Sequence, residues 1–291
     1  MKIAIFGKVI HDDGYVFIQE LVDKIYKING EVWIYESFFI DIKDHITLNE
    51  YKLFKDYHDL IENVQFLISL GGDGTMLDTI SLVRDSGIPI LGVNMGRLGF
   101  LASINKERII LAVDSLQSGA YKLDKRTLIN IINQNELFGK LNYALNDVTI
   151  YKKDPMTMIT IKVFINDEFL NSYWADGLLI ATPTGSTAYS LSCGGPILTP
   201  DSNNLVITPI ANHNLSVRPV VIPDSSIVRV RVVGRENSYF VGLDSRSKSV
   251  ESSTEISIQK ADFKINLVQM SDDNFFNTIR DKLMWGLDLR N

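Results

Sequence analysis

The chain has 291 residues, 45% hydrophobic and 22% charged, which suits two globular domains of ordinary composition and excludes wholesale disorder. Its net charge of −6, with lysines and arginines scattered along the chain, argues against a nucleic-acid partner. No apolar run approaches the ~18–20 residues that span a bilayer, and "MKIAIFGKVIHDDG" carries too short an apolar stretch for a signal peptide, so a cytoplasmic protein with no membrane partner is expected. Cys193 is the only cysteine and His11, His45, His58 and His213 lie far apart, which excludes an intrachain disulfide and leaves no spacing for a protein-built metal site.

In chain order, "KIAIF" reads as a buried strand, residues 15–28 as a helix, "EVWIY" as a strand and residues 49–63 as a charged amphipathic helix. "VQFLISL" then reads as a strand, residues 75–85 as a helix, "IPILGVN" as a strand and residues 105–118 as a helix. Alternating strands and helices predict parallel βαβ units, an α/β domain over residues 1–120 whose ligands sit outside the carboxyl ends of the strands. From residue 121 the texture changes to short β-rich runs, "TLINIIN", "MITIKVFI", "GLLIAT", "LVITPI", "IVRVRVV" and "SYFVGL", which predict an all-β sandwich domain over residues 121–270. Residues 271–291 form a third segment. In it "DDNFFNTIRDKLMWGLD" predicts a capped helix, with Phe275, Phe276, Ile279, Leu283 and Met284 on an apolar face that packs back on the first domain.

The stretch "LISLGGDGTM", residues 68–77, places one carboxylate among glycines where a strand ends. Glycine there supplies backbone angles denied to other residues and lets a phosphate or sugar approach the main chain at a helix N-terminus. Taken alone, the cluster is equally a tight turn whose Asp73 and Thr75 cap the helix. It is neither a P-loop, which needs a lysine after its last glycine, nor a Rossmann G-x-G-x-x-G. A carboxylate without a lysine partner repels phosphate, and suits accepting the proton of an attacking hydroxyl in phosphoryl transfer.

Downstream, "ALNDVTI" sets Asn146 beside Asp147, and "WADGLLIATPTGSTAYSLSCGGPIL" is the richest polar run in the chain. Asn offers a donor and an acceptor and Asp accepts two bonds from a diol, so the pair can hold a ribose, although for two such residues alone an Asx-turn at a strand end is the commoner arrangement. In "TPTGSTAYS" the residue two before Ser186 is Thr184, so the G-x-S-x-G elbow of an acyl-transfer serine is broken. Hydroxyls and amides around Gly185 can still cradle a phosphate or nucleoside, with Tyr189 stacking on a base.

The "GGDGT" turn resembles the nucleotide-site motif of NAD kinases, of diacylglycerol and sphingosine kinases and, with a serine ending, of phosphofructokinases. Together with "NMGRLGFL" (94–101), "ND" (146–147), "DGLLIATPTGSTAYSLSCGGPI" (176–197) and "RPVVIP" (218–223), in this order from about residue 65 to 245, it is similar to the NAD kinase family. That resemblance implies an α/β domain, a β-sandwich and a site between them. It implies that ATP, with Mg²⁺ or another divalent cation delivered alongside, phosphorylates the 2′-hydroxyl of the adenosine ribose of NAD. Asp73 would accept the hydroxyl proton and Gly74 would allow close approach. Phe100 would pack near adenine, and Asn146 and Asp147 would bind the nicotinamide-side ribose. Asp176, from the same or an adjacent subunit, would contact the nicotinamide end. Thr184, Thr187, Ala188, Tyr189, Ser190, Leu191 and Ser192 would line the dinucleotide site, with Ala211 at its edge. Homodimers or homotetramers are the family's usual assemblies.

Three departures stand out. Arg97 replaces a frequent histidine, Trp174 an arginine before "ADG", and "LDSRSKSV" puts Ser245 and Arg246 in place of the glycine and glutamine of Asp-Gly-Gln. Arg246 is then either a phosphate partner or a solvated hairpin residue. A lipid or sugar kinase sharing only "GGDGT", and a dinucleotide-binding sensor without transfer, are the competing readings. The sequence leaves open polyphosphate as donor, NADH as acceptor and feedback by NADP(H).

Overall fold

The computed structural model describes residues 1–8, 12–96, 99–234, 237–271 and 273–285. Arg97 lies outside them. The chain divides into two compact units, Met1–Lys125 with Ile265–Asn291, and Arg126–Lys264. Among the described residues, no helix is long and apolar enough to cross a membrane.

In the first unit, strands β1 (Lys2–Gly7), β2 (Glu31–Tyr35), β3 (Tyr51–Phe54), β4 (Phe66–Leu70) and β5 (Ile90–Asn94) form a parallel sheet in the order β5-β4-β1-β2-β3, and the short β6 (Ile104–Asn105) pairs with β5. Every residue of β4 and β5 is buried, Ser69 and Asn94 included, which reflects burial on both faces, as parallel sheets require. Helices α1 (Tyr15–Lys27), α2 (Glu36–Ile42), α3 (Tyr57–Leu60), α4 (Asp73–Val83) and α5 (Ile109–Ser118) connect them. In α1, Ile18, Leu21, Val22 and Ile25 are buried at i, i+3, i+4 and i+7, the stripe that a helix packed on a sheet presents. Gly119 closes α5 in the left-handed conformation, with φ 76°.

The helix expected over residues 49–63 is not there. Residues Tyr51–Phe54 pair in parallel with β2, from Val32↔Tyr51 to Tyr35↔Phe54, and only Tyr57–Leu60 is helical. Aromatic and leucine residues at 51, 53, 54, 57 and 60 satisfy helical spacing. The edge position of β3, however, leaves Tyr51 and Leu53 exposed and blurs the alternation that marks a strand. Asp56 takes an extended conformation and accepts the His58 amide at 2.8 Å, capping α3.

The second unit is a β-sandwich. It contains β7 (Tyr121–Ile131, shared with the first unit), β8 (Tyr143–Ala144), β9 (Asp147–Lys152), β10 (Ile159–Ile165), β11 (Glu168–Ala175), β12 (Gly177–Ala181), β13 (Asn204–Ile210), β14 (Val220–Pro223), β15 (Val228–Val233), β16 (Ser238–Leu243), β17 (Arg246–Glu251) and the first part of β18 (Glu255–Met270). One antiparallel sheet runs β14-β13-β12-β9-β16-β17 and the other β11-β10-β15-β18. Ile150, Ile180, Ile207 and Val241 of the first share a core with Ile161, Val163, Val230 and Ile256 of the second. Two short helices, α6 (Asn135–Phe138) and α7 (Tyr189–Ser192), interrupt the strands.

The end of β18 returns to the first unit, where Leu267 pairs with Ile90 and Val268 and Met270 join the core. Helix α8 (Phe275–Leu283) follows, capped by the Asn274 side chain, which accepts the Asn277 amide at 2.8 Å. It packs on the first unit as expected, but through a narrower face. Ile279 is buried, whereas Phe276 and Met284 are 58% and 71% exposed.

Candidate functional site

In the first unit the site is built where β4 gives way to α4. Gly71 has φ +155°, and a Cβ there would lie 2.3 Å from the Thr75 hydroxyl, so the turn admits glycine only. Helix α4 begins at Asp73, two residues earlier than the spacing of apolar residues predicts, with Gly72 as its N-cap. This puts the carboxylate in the first helical turn, where the N-terminal dipole favours an anion. Among the described residues, and apart from the chain neighbours and the backbone of α4 itself, no atom lies within 4 Å of where a Cβ would stand on Gly72 or Gly74, so the main chain is open to close approach on both sides of Asp73.

The carboxylate is held from behind. Asp73 Oδ2 accepts the Phe100 amide at 2.8 Å, and Oδ1 accepts those of Leu101 and Ala102 at 2.9 and 3.0 Å. A Cβ on Gly99 would lie 2.0 Å from Asp73 Oδ1, so the wrap of residues 99–102 around the carboxylate requires glycine at its start. Three hydrogen bonds from consecutive amides fix both oxygens far more firmly than a mobile side chain could. The Lys282 ammonium of α8 lies 3.4 Å from Oδ2 and 4.6 Å from the Phe100 ring centroid. The structure thus brings together Asp73, Gly74 and Phe100, and adds Gly99 and Lys282, which sequence reasoning missed. A separate cavity of about 490 Å³ opens at the carboxyl ends of β1 and β2, lined by Gly7, Lys8, Tyr35, Asp41, Asp78 and neighbours, with Lys8 and Asp78 paired at 2.6 Å.

In the second unit a second carboxylate gathers amides in the same way. Asp244, at φ 54° in the turn between β16 and β17, accepts the amides of Leu145 (2.9 Å), Asn146 (2.7 Å) and Asp147 (3.3 Å). Burial pushes its carboxyl up, and the three amides work against that shift. Arg246 donates to the carbonyls of Leu141 and Tyr143. Two of its guanidinium donors are therefore spent on the main chain of the same segment, so it is not a loose hairpin residue. Asp244 and Arg246 together clamp residues 141–147 from both ends. The signal in the sequence was an acid and an arginine flanking a tight turn in "LDSR".

Asn146 also supports the threonine-rich loop. Its carbonyl accepts the Thr182 amide at 2.9 Å, and the position of a Cβ on Gly185 is only 2.0 Å from that oxygen, so the loop can rest on Asn146 only with glycine there. Asp147 is buried, accepts the Thr149 hydroxyl at 2.8 Å, and has its carboxyl pushed up to about 6 by burial, with the nearby Asp244 charge adding to the shift.

The hydroxyls of "TPTGSTAYS" divide by task. Ser186 donates to the Pro183 carbonyl and accepts the Leu198 amide; Ser190 shares a hydrogen bond of 2.8 Å with Thr208, and both serines are buried. Thr184 accepts from Arg126 at 3.2 Å, and Thr187 donates to the Thr184 carbonyl at 3.1 Å. These four groups hold the loop. Tyr189 remains half-exposed beside Ala188, Leu191 and Ser192 on and before α7. Burial raises the Tyr189 hydroxyl and the Cys193 thiol, and the charge of Asp176 on the first and of Asp147 on the second acts in the same direction.

Asp176 is paired with Lys152 at 2.6 Å, and the same ammonium donates to the Pro155 carbonyl at 2.8 Å. The Asp176 amide donates to the Ile210 carbonyl, which places Ala211, in the left-handed region at φ 46°, next to it. Trp174, 53% exposed, stacks obliquely against His213.

The comparisons with known proteins cover both units. The model of the ATP-NAD kinase N-terminal domain matches residues 19–121, and that of the ATP-NAD kinase C-terminal domain matches residues 145–270. NAD kinases of Flavobacterium psychrophilum and Flavobacterium johnsoniae are 48% and 47% identical to the chain over 294 aligned positions, and that of Bacteroides fragilis is 38% identical, each alignment covering 100% of both chains. The fold matches the crystal structure of yeast NADH kinase complexed with NADH (TM-score 0.89, 24% identity, 100% of this chain and 89% of that one). It also matches that of an NAD kinase from Archaeoglobus fulgidus in complex with ATP (TM-score 0.74, 22% identity, 98% and 99%). A kinase sharing only the glycine turn would have no counterpart for the match through the second unit. From the glycine turn of the first unit to the clamped loops of the second, the chain belongs to the NAD kinase family.

Proposed function

We propose that the protein transfers the γ-phosphoryl group of ATP to the 2′-hydroxyl of the adenosine ribose of NAD, giving NADP and ADP. The observation that carries the catalytic assignment is the Asp73 carboxylate, immobilised by three amides at the start of α4 with open main chain at Gly72 and Gly74. The 2′-oxygen attacks the γ-phosphorus as the bond to the ADP oxygen breaks, and the hydroxyl proton passes to Asp73. A positioned carboxylate is the group such a transfer asks for, because catalysis here is mostly orientation and electrostatics.

Asn146, Asp147, Asp176, Thr184, Thr187, Ala188, Tyr189, Ser190, Leu191, Ser192 and Ala211 are assigned to the dinucleotide, and Phe100 to the adenine side. Asn146 and Asp147 support this reading best, since their backbone is fixed by Asp244. Ser190 acts through the shape of the loop, its hydroxyl being engaged by Thr208.

A divalent cation, Mg²⁺ in our reading, enters with ATP. Among the described residues no three His, Cys, Asp or Glu side chains converge on one point. Mg²⁺ held by phosphate oxygens and water asks for no such cage. When bound it neutralises charge on the phosphate oxygens. The assembly is assigned as a homodimer or homotetramer and the compartment as the cytoplasm, where a lone thiol stays reduced.

The test is NADP formation from NAD, ATP and Mg²⁺ by the purified protein, with polyphosphate and NADH as alternative donor and acceptor. Tight NAD binding with no product from either donor would sink the transfer reading in favour of a sensor.

A further inference from the structure

Lys282 has no role in the transfer as described above. It stands in the last turn of α8, 209 residues from Asp73, with its ammonium 3.4 Å from Asp73 Oδ2 and 4.6 Å from the Phe100 ring centroid. We propose that Lys282 is a catalytic cation that contacts the phosphoryl group in transit, beside the carboxylate that takes the proton. This inference rests on the assignment of Asp73 as proton acceptor.

Position is the first argument. A base must lie within roughly 2.6–3.2 Å of the hydroxyl it serves, and that hydroxyl within roughly 3–3.5 Å of the atom it attacks. The oxygens of the transferred group therefore come within a few ångströms of Asp73, inside the sweep of an ammonium 3.4 Å from its Oδ2. Charge is the second. A triphosphate brought against a carboxylate sets anion beside anion, and phosphoryl transfer depends on positive charge at the equatorial oxygens. Among the described residues, the cation that meets Asp73 is Lys282.

The mounting is the third. Ile279, three residues earlier on α8, is buried and anchors the face that presents Lys282, while the helix C-terminus favours a cation in its last turn. Phe100 supports the ammonium from one side. Both side chains of the ion pair are about one-third exposed, 32% for Lys282 and 31% for Asp73, so the contact is weak enough to be exchanged for phosphate. A lysine suits such an exchange, being a compact charge on a flexible stem.

The experiment compares wild type with Lys282→Met, Lys282→Gln and Lys282→Arg, measuring kcat, KM for NAD and for ATP, NAD binding and Tm. Loss of the cation should lower kcat by about 10- to 100-fold, below the ~100- to 1000-fold known for fully enclosed donors. KM for NAD should stay within about twofold and Tm within about 2 °C, and Lys282→Arg should recover most of the rate. A merely structural lysine would move Tm and not separate kcat from KM. Wild-type or raised kcat in both Lys282→Met and Lys282→Gln overturns the proposal, a raised value meaning that the ion pair only restrains Asp73. Asp73→Asn in the same assay separates the failures. If it keeps its rate, the proton-acceptor reading falls and takes this one with it; if it is inactive while Lys282→Met is normal, the Lys282 assignment alone is wrong.

Discussion

Asp244 Oδ1 accepts the main-chain amide of Asn146 at 2.7 Å across 98 residues of sequence. With the amides of Leu145 and Asp147 on the same carboxylate, this is the second unit's counterpart of Asp73 and residues 100–102. Asp244→Ala leaves three part-buried N–H groups without this acceptor, and an unsatisfied buried group costs about 1–3 kcal/mol. The variant should lose at least about 2 kcal/mol in urea unfolding. Arg246→Gln, which frees the Leu141 and Tyr143 carbonyls, should lose less, about 1 kcal/mol, and raise KM for NAD severalfold by loosening the Asn146 segment. Unchanged unfolding curves for both would show that the clamp holds nothing.

Asp147 ties stability to pH. Burial pushes its carboxyl from 3.8 up to about 6, so the folded chain binds the proton more tightly than the unfolded chain. The contribution is complete below the unfolded value, and it is lost as pH rises through about 6. Asp147→Asn removes the titration. Without NAD present, its stability advantage over wild type should grow by about 1 kcal/mol between pH 5 and pH 7.5. A pH-independent difference would contradict the assigned shift.

Asp73→Asn keeps the outline of the carboxylate, removes its basicity and leaves one oxygen rather than two to accept the amides of residues 100–102. Turnover to NADP should fall by about 100-fold or more, with NAD binding little changed. Gly99→Ala tests the same geometry from behind, because its Cβ would fall 2.0 Å from Asp73 Oδ1. It should lower kcat more than it lowers Tm. A rate near wild type in Gly99→Ala would show that the wrap of residues 99–102 does not position the carboxylate.

The Lys152–Asp176 pair is shielded on the lysine side, where the side chain is 9% exposed, and more open at Asp176, at 27%. Lys152→Met leaves Asp176 and the Pro155 carbonyl without their partner. Breaking a buried pair costs about 3–5 kcal/mol, and the partial exposure of Asp176 brings the expected loss to about 2 kcal/mol in chemical denaturation. If Asp176 serves the nicotinamide end, KM for NAD should rise as well.

Much of this was legible in the residues. The apolar run "FLISL", the glycines after it and the switch to short alternating strands reported a parallel α/β unit, a strand-to-helix turn and a sandwich, because backbone preference and burial pattern are encoded locally. The helix expected over residues 49–63 failed where local spacing was ambiguous: Tyr51–Phe54 pair with β2, and a sheet neighbour decided what periodicity could not. "TPTGSTAYS" announced a polar loop, yet its composition did not say that Ser186 and Ser190 are spent inside the protein.

What the sequence by itself determined is most of the elements and the chemistry available at their ends: a carboxylate among glycines, an Asn-Asp pair, a hydroxyl-rich turn. Which groups those carboxylates hold was decided only by the tertiary structure. Asp73 meets residues 100–102 and Lys282, and Asp244 meets residues 145–147, through contacts that no local pattern registers. A hydrogen bond depends on a few ångströms in space, and the chain brings those atoms together only after both cores have closed.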